Sequence, residues 1–201
     1  MENVRDMFNV FKKGREGLCE LKDGKWTRAD EMKKFLVEAK LHTYGQPDSD
    51  VYTNGLKTTI NYTSDKFPDF HYRDRYFGSE IFHGIETVSI RGVEVYALTY
   101  SGVEYVPFKD NPAIAECLSK ALKAGPEASS DNLRGLDGTM DQSKRYEYHV
   151  WYNYVNGHIS GTEIITDKDN FTCYQHPASI LLAGINGGIV YRCDFSGGLI
   201  I

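Results

Sequence analysis

Hydrophobic positions along this chain change period several times. Val4, Met7, Phe8, Val10 and Phe11 predict a short helix within residues 1–16, broken at Gly14 and Gly17. From Leu18 to Trp26 the text suggests a small hairpin about Asp23-Gly24, a favoured two-residue turn. A firm helical period follows over residues 28–43, where Met32, Phe35, Leu36 and Ala39 share one face. Thr27 is placed to cap it, with Asp30 three positions on, and Gly45 to stop it.

The pattern then becomes strand-like. Aromatic and β-branched residues predict strands at 58–62 and 70–77, joined by a turn over 64–69 that contains Pro68. Strands at 86–90 and 93–100 are joined at Arg91-Gly92. A second helix is expected over 112–124, with Asn111 as its cap, Pro112 in its first turn and Gly125-Pro126 ending it. Residues 125–144, rich in Gly, Ser, Asp and Pro, read as an exposed, mobile loop. Strands resume at 146–154, 161–166 and 188–195, with Asn186-Gly187 as a hairpin turn.

The same text occurs twice. The segment Ile-Arg-Gly-Val-Glu-Val-Tyr-Ala-Leu-Thr-Tyr-Ser-Gly at 90–102 aligns with Ile-Asn-Gly-Gly-Ile-Val-Tyr-Arg-Cys-Asp-Phe-Ser-Gly at 185–197, with six identities in thirteen positions. Upstream, Gly84-Ile-Glu86 matches Gly161-Thr-Glu163, and Tyr72, Tyr76 and Phe77 resemble Tyr148, Tyr152 and Tyr154. A helix precedes each copy. The second copy is longer by eighteen residues between Glu163 and Ile185, placed over 164–181. These features predict an α+β fold: one domain over 1–201, built from two helix-plus-antiparallel-β repeats at about 27–105 and 106–201, related by internal duplication and a pseudo-twofold axis. Alternation places Tyr96, Leu98 and Tyr100 on one face and Tyr191, Cys193 and Phe195 on its counterpart, both expected to point inward beneath helices that cover one side.

Composition narrows the function classes. With 41% hydrophobic residues the chain can build a core without staples, and a net charge of −5 argues against a direct nucleic-acid binder. No apolar run is long enough for a membrane helix, and Met1 to Lys13 lacks the apolar core of a secretion signal, so a cytoplasmic location is expected. Cys19, Cys117, Cys173 and Cys193 form no Cys-x-x-Cys and read as small hydrophobes in a reducing compartment.

Phe35-Leu-Val-Glu-Ala-Lys-Leu-His-Thr-Tyr-Gly45, Tyr72-Arg-Asp-Arg-Tyr-Phe-Gly78, Gly84-Ile-Glu86, Tyr96 with Tyr100-Ser-Gly102, and the C-terminal run from Gly188 to Ile200 together resemble an uncharacterised prokaryotic family of unknown function. The resemblance covers about residues 33–201. Such domains occur alone or behind XRE-type helix-turn-helix modules. The resemblance therefore implies association with transcription regulators and a ligand- or partner-sensing role, and it supplies no catalytic residues.

Candidate chemistry is sparse. Glu86 and Glu163 are equivalent, and paired carboxylates could serve as acid and base or hold a cation, although each also suits a solvated strand start. His83-x-x-Glu86 is a weak metal pattern, because an offset of three on a strand sends the side chains to opposite faces; no metal or cofactor is expected. Tyrosine is over-represented, at 14 residues. Tyr76, Tyr96, Tyr100, Tyr152 and Tyr191 could line an aromatic pocket between the repeats together with Glu86 and Glu163, or simply pack the core. Asp74, between Arg73 and Arg75, reads first as a structural hydrogen-bond acceptor and second as a polar group in a pocket. No nucleophile elbow, P-loop or dinucleotide fingerprint is present. The leading expectation is a non-catalytic, sensor-like domain binding a small molecule or a partner in that pocket. The alternatives are an enzyme using Glu86 or Glu163 as general acid or base, and a structural interaction protein forming a homodimer.

Overall fold

In the first helix, α1 (Ala29–Thr43), the apolar positions bury as their spacing dictates: Met32, Phe35, Leu36 and Ala39 all turn into the core. The computed structural model describes residues 21–22, 25–26, 29–43, 50–128, 138–141, 145–155, 158–169 and 188–200. The helix expected within residues 1–16 and the Asn186-Gly187 turn lie outside them, as do Cys19 and Cys173. A two-stranded ribbon, β1 (Leu21–Lys22) with β2 (Lys25–Trp26), matches the expected early hairpin.

Among the described residues, nine further strands form one antiparallel sheet. They are β3 (Asp50–Asn54), β4 (Lys57–Ser64), β5 (Phe67–Gly78), β6 (Ile81–Ile90), β7 (Val93–Glu104), β8 (Gly138–Asp141), β9 (Tyr146–Val155), β10 (His158–Asp167) and β11 (Ile189–Leu199). Their spatial order is β3-β4-β5-β6-β7-β11-β10-β9-β8. A meander therefore runs inward from β3 to β7, and a second runs inward from β8 to β11. The two meet along β7 and β11. The second helix, α2 (Pro112–Ala128), packs on β9 and β10, whereas α1 packs on β4 and β5 and touches α2. An α+β layer of helices on an antiparallel sheet is thus observed.

The registers of the two meanders coincide residue by residue. Gly84 lies opposite Tyr100 and Glu86 opposite Leu98. On the other side, Gly161 lies opposite Phe195 and Glu163 opposite Cys193. Tyr76 pairs with Gly84 as Tyr152 pairs with Gly161. A β-bulge interrupts the register after Val88 in one meander and after Ile165 in the other. Across the central seam, Tyr100 and Phe195 face one another directly.

The glycines in this pattern have a steric reason. A Cβ on Gly84 would sit 2.2 Å from the Tyr100 ring, and one on Gly161 would meet the Trp151 carbonyl oxygen at 2.3 Å and the Phe195 ring at 2.7 Å. Each glycine lets an aromatic ring on the next strand lie flat over the sheet. At the β6–β7 turn, Arg91 and Gly92 both adopt positive φ (51° and 81°), the geometry of a tight two-residue hairpin.

The inward face is the aromatic one expected: Tyr72, Tyr96, Leu98, Tyr148, Tyr191, Cys193 and Phe195 are all buried. Cys117 and Cys193 are buried, as small hydrophobes are.

Several expectations are corrected. The turn over 64–69 is shorter, because β5 begins at Phe67 and takes Pro68 near its start, where a missing N–H is tolerated. Gly125-Pro126 does not end α2, which continues to Ala128; proline in the last helical turn disturbs little beyond that turn. Residues 125–144 are not one loop, since they include that last turn and strand β8. The additional residues of the second half do not start at 164. Ile164 to Asp167 continue β10, so the extra length falls after Asp167. Strand β3 was not foreseen, because Asp50 and Asn54 mask its short apolar core.

Candidate functional site

Between the sheet and α2 lies a cleft of about 500 Å³, within the range that holds small organic molecules. Its floor and walls come from Thr58 and Ile60 on β4, Asp74 and Tyr76 on β5, Phe82 on β6, Tyr100 and Glu104 on β7, and Tyr191 on β11. Ala115, Leu118, Ser119 and Leu122 of α2 form the roof, and Thr43 from the end of α1 closes one corner. Gly78, Ser79 and Phe108 stand at its rim.

Aromatic rings shape the wall. Phe82 stacks on Tyr191, with centroids 6.0 Å apart and planes 15° apart, and tilts against Tyr100 at 6.1 Å. Phe108 adds a tilted contact to Tyr191 at 5.6 Å. The rings leave their π-faces and edges as the cleft's main apolar surface.

Two carboxylates project among them. Asp74 is 3% exposed and accepts a hydrogen bond from the Tyr100 hydroxyl at 2.7 Å. Alternation along β5 puts it on the same face as Tyr72 and Tyr76, so the strand itself carries a carboxyl inward. Glu104 accepts a hydrogen bond from the Phe108 backbone N–H at 2.8 Å. Burial pushes its carboxyl above the usual range; Glu80 adds to that effect, whereas the Phe108 N–H and Lys109 oppose it. Lys109, outside the cleft, is held by Glu80 at 3.0 Å. No Lys, Arg or His is among the described residues that line the cleft.

Tyr76, Tyr100 and Tyr191 line this space together, as the sequence suggested. Tyr96 is buried beside them in the core, and Tyr152 packs against the core from β9; neither faces the cleft. Glu86 and Glu163 also do not face it, and both are fully buried. They lie on β6 and β10, with β7 and β11 between them; the row of Glu86 runs through Leu98 and Gly197 to Ile159, four residues along β10 from Glu163, so strand spacing and rise together set the two roughly 20 Å apart.

Each has its own partners. Glu86 Oε2 lies 3.2 Å from Lys40 Nζ, an ion pair whose lysine is also buried. Glu163 accepts hydrogen bonds from the Tyr148 hydroxyl at 2.6 Å and the Tyr191 hydroxyl at 3.0 Å. Both carboxylates are therefore part of the polar interior of the fold rather than a converging acid–base pair. His83 is exposed while Glu86 is buried, so the His83-x-x-Glu86 spacing brings no two ligands together. Among the described residues no group of three or more His, Cys, Asp or Glu could hold a metal ion.

Asp74 was noticed in the sequence only as one of two readings, and Glu104 was missed. Glu104 sits at the end of a strand that runs past its apolar stretch, and local text there resembles a solvated terminus. Its inward placement depends on its opposition to Tyr191 across the central seam.

Comparison with known families adds one match: a model described as "Domain of unknown function (DUF5680)" covers residues 74–180, more than half of the chain. No curated protein and no solved structure matches the chain. The match begins at Asp74 itself and takes in β6, β7, α2 and β10.

Proposed function

We propose, from the premise that the chain belongs to the DUF5680 family, whose description assigns no activity, that it is a non-catalytic domain binding a small molecule in the cleft beneath α2. The observation that carries this reading is a nearly buried carboxylate, Asp74, oriented by Tyr100 in the wall of an aromatic-lined cleft of about 500 Å³. A carboxyl held in the wall of an aromatic cleft can fix the orientation of a bound molecule, and small-molecule sites are built from apolar walls with a few such placed polar groups. The two glutamates that the sequence offered for catalysis do not line the cleft, which favours binding over catalysis by that pair. Sensing, with or without a partner regulator, is the role such a domain would serve.

We also infer that the two helix-plus-meander halves descend from one duplicated unit. Support comes from the matched registers, the matched bulges and the glycine–aromatic pairs Gly84–Tyr100 and Gly161–Phe195.

The binding reading is tested by screening a chemically diverse small-molecule library by thermal shift, against the natural chain and against Ala115→Trp, which fills the roof of the cleft. Compounds that raise the melting temperature of the natural chain but not of the folded variant are expected. If no compound shifts either protein, or every hit shifts both equally, the cleft is not a binding site.

A further inference from the structure

We propose that the outward face of the first meander, on the side of the sheet away from the cleft, binds single-stranded nucleic acid. The inference is independent of the cleft and of what the cleft holds.

Strand alternation builds this face. Asp74 and Tyr76 point into the cleft, so Arg73, Arg75 and Phe77 point the other way. Their partners on β4, Asn61, Thr59 and Lys57, share that side, and Tyr52 on β3 lies opposite Thr59. In the three rows that run from these β4 residues across to β7, the outward positions carry Lys57, Arg73 and Arg75 and no Asp or Glu. No carboxylate among the described residues pairs with any of the three cations. Arg73 donates its Nε–H to the Asn61 side-chain oxygen at 3.1 Å, Lys57 Nζ sits 6.0 Å from the centre of the Phe77 ring, and Arg75 Nε has no acceptor. On a chain of net charge −5 this strip is a local reversal of sign. Acids border it. Asp50 opposes Asn61 at the β3 edge and Glu94 opposes Ser89 near the β6–β7 turn, whereas Asp69 and Asp194 are held by Arg91 and Arg192.

Aromatic side chains stand among the cations. Tyr52 is 63% exposed and Phe77 is 55% exposed. Two strands and one pleat separate them, roughly 12 Å at Cα. Exposed rings between cations on a sheet offer π-faces to bases and charge to phosphates. A duplex keeps its bases stacked inside and gives the rings nothing to hold. An anionic membrane is broad and would press on the bordering acids as well as on the cations. By register, the positions of Arg73 and Arg75 correspond in the other meander to His149 and Trp151. Those rings stack on each other at 5.8 Å, and Trp151 packs with Ile164. The sheet is thus built at these positions without cations, which belong to one half alone.

The test is fluorescence anisotropy of a labelled oligothymidylate, about twelve nucleotides long, with the full chain. The same strand paired with its complement is the second probe, and co-sedimentation with phosphatidylserine vesicles is the third. The single strand is expected to bind with a slope of log affinity against log salt of about −2, since each of the three cations contributes about −0.7. That is a loss of about twentyfold between about 50 mM and about 200 mM salt. Arg73→Gln with Arg75→Gln should bring the slope to about −0.7 and weaken binding about tenfold or more at the lower salt. Phe77→Ala and Tyr52→Ala should each weaken it about fivefold or more and leave the slope unchanged. Either set of variants suffices if the other fails to fold. The proposal is overturned if the single strand does not bind at the lower salt, if the folded variants bind it as the natural chain does, or if the duplex binds tighter. Co-sedimentation with vesicles without any change in anisotropy would assign the face to a membrane and overturn it too.

Discussion

Gly84 and Gly161 are each the position over which a ring on the next strand must lie. An added methyl on Gly84 displaces the Tyr100 ring and with it the donor to Asp74. On Gly161 the same methyl meets a backbone oxygen, which cannot swing aside. Gly84→Ala is expected to cost about 1–3 kcal/mol, and Gly161→Ala at least as much, by urea denaturation. A neutral effect at either site would remove the correspondence between the halves. Histidine supplies a second expectation at this scale. Burial pushes the His149 imidazole below its ordinary range, opposed in part by Glu147, so the folded chain favours its neutral form. The unfolded chain then binds the proton more readily. The stability from this group is complete above about pH 6.5 and declines as pH falls toward the depressed folded value. His149→Asn should flatten that part of the pH profile, read as the urea midpoint between about pH 8 and about pH 5.

At the scale of elements, the helices are attached to the sheet by different means. α1 uses charge and hydrogen bonds as well as apolar packing. Glu38 accepts hydrogen bonds from the hydroxyls of Tyr62, at 2.9 Å, and Ser64, both on β4. Burial works to raise its carboxyl, yet these donors, with Lys66 and His42, hold it below the usual range. Deeper in, Lys40 pairs with Glu86. Lys40→Met leaves the Glu86 carboxylate buried without its counter-charge and is expected to cost about 3–5 kcal/mol. The double variant Lys40→Met with Glu86→Gln should recover part of this. A loss below about 1 kcal/mol in the single variant would mean the pair is not what holds α1 down. α2 makes its contact through Ile114, Cys117, Ala121 and Leu122, an apolar stripe, and Glu163 beneath the sheet's second half is satisfied by tyrosine hydroxyls instead.

For the whole molecule, the two meanders meet along β7 and β11 and make one continuous sheet, so a perturbation at the seam touches both halves. The cleft draws its residues from both: Asp74, Tyr100 and Glu104 from the first meander, Tyr191 and the α2 roof from the second half. A ligand seated there would bridge them and should raise the stability of the whole chain rather than of one half, by an amount set by its concentration over its dissociation constant. Hydrogen exchange with and without a compound selected by the thermal-shift screen is expected to show added protection on β5, β7 and β11 and on α2. Protection confined to one half would place the molecule elsewhere.

Periodicity was enough for α1, for the start of α2 and for most strands, because a stripe at helical or strand spacing has one way to bury itself. The glycine–aromatic pairs Gly84–Tyr100 and Gly161–Phe195 were legible too, since those positions recur in the text. Local signals misled where a neighbour overrode them: Gly125-Pro126 reads as a stop yet lies within α2, and Pro68 reads as a turn yet lies within β5. The site was decided at the tertiary level. The recurring text offered Glu86 and Glu163 as a converging pair or as solvated strand starts, but the strand order β6-β7-β11-β10 and its register set them roughly 20 Å apart, each buried with its own partners. The opposition of Glu104 to Tyr191 brought an acid at a strand end into the cleft. Residue spacing specifies which face a side chain takes; which side chains then converge depends on strand order, a long-range choice that no local window contains.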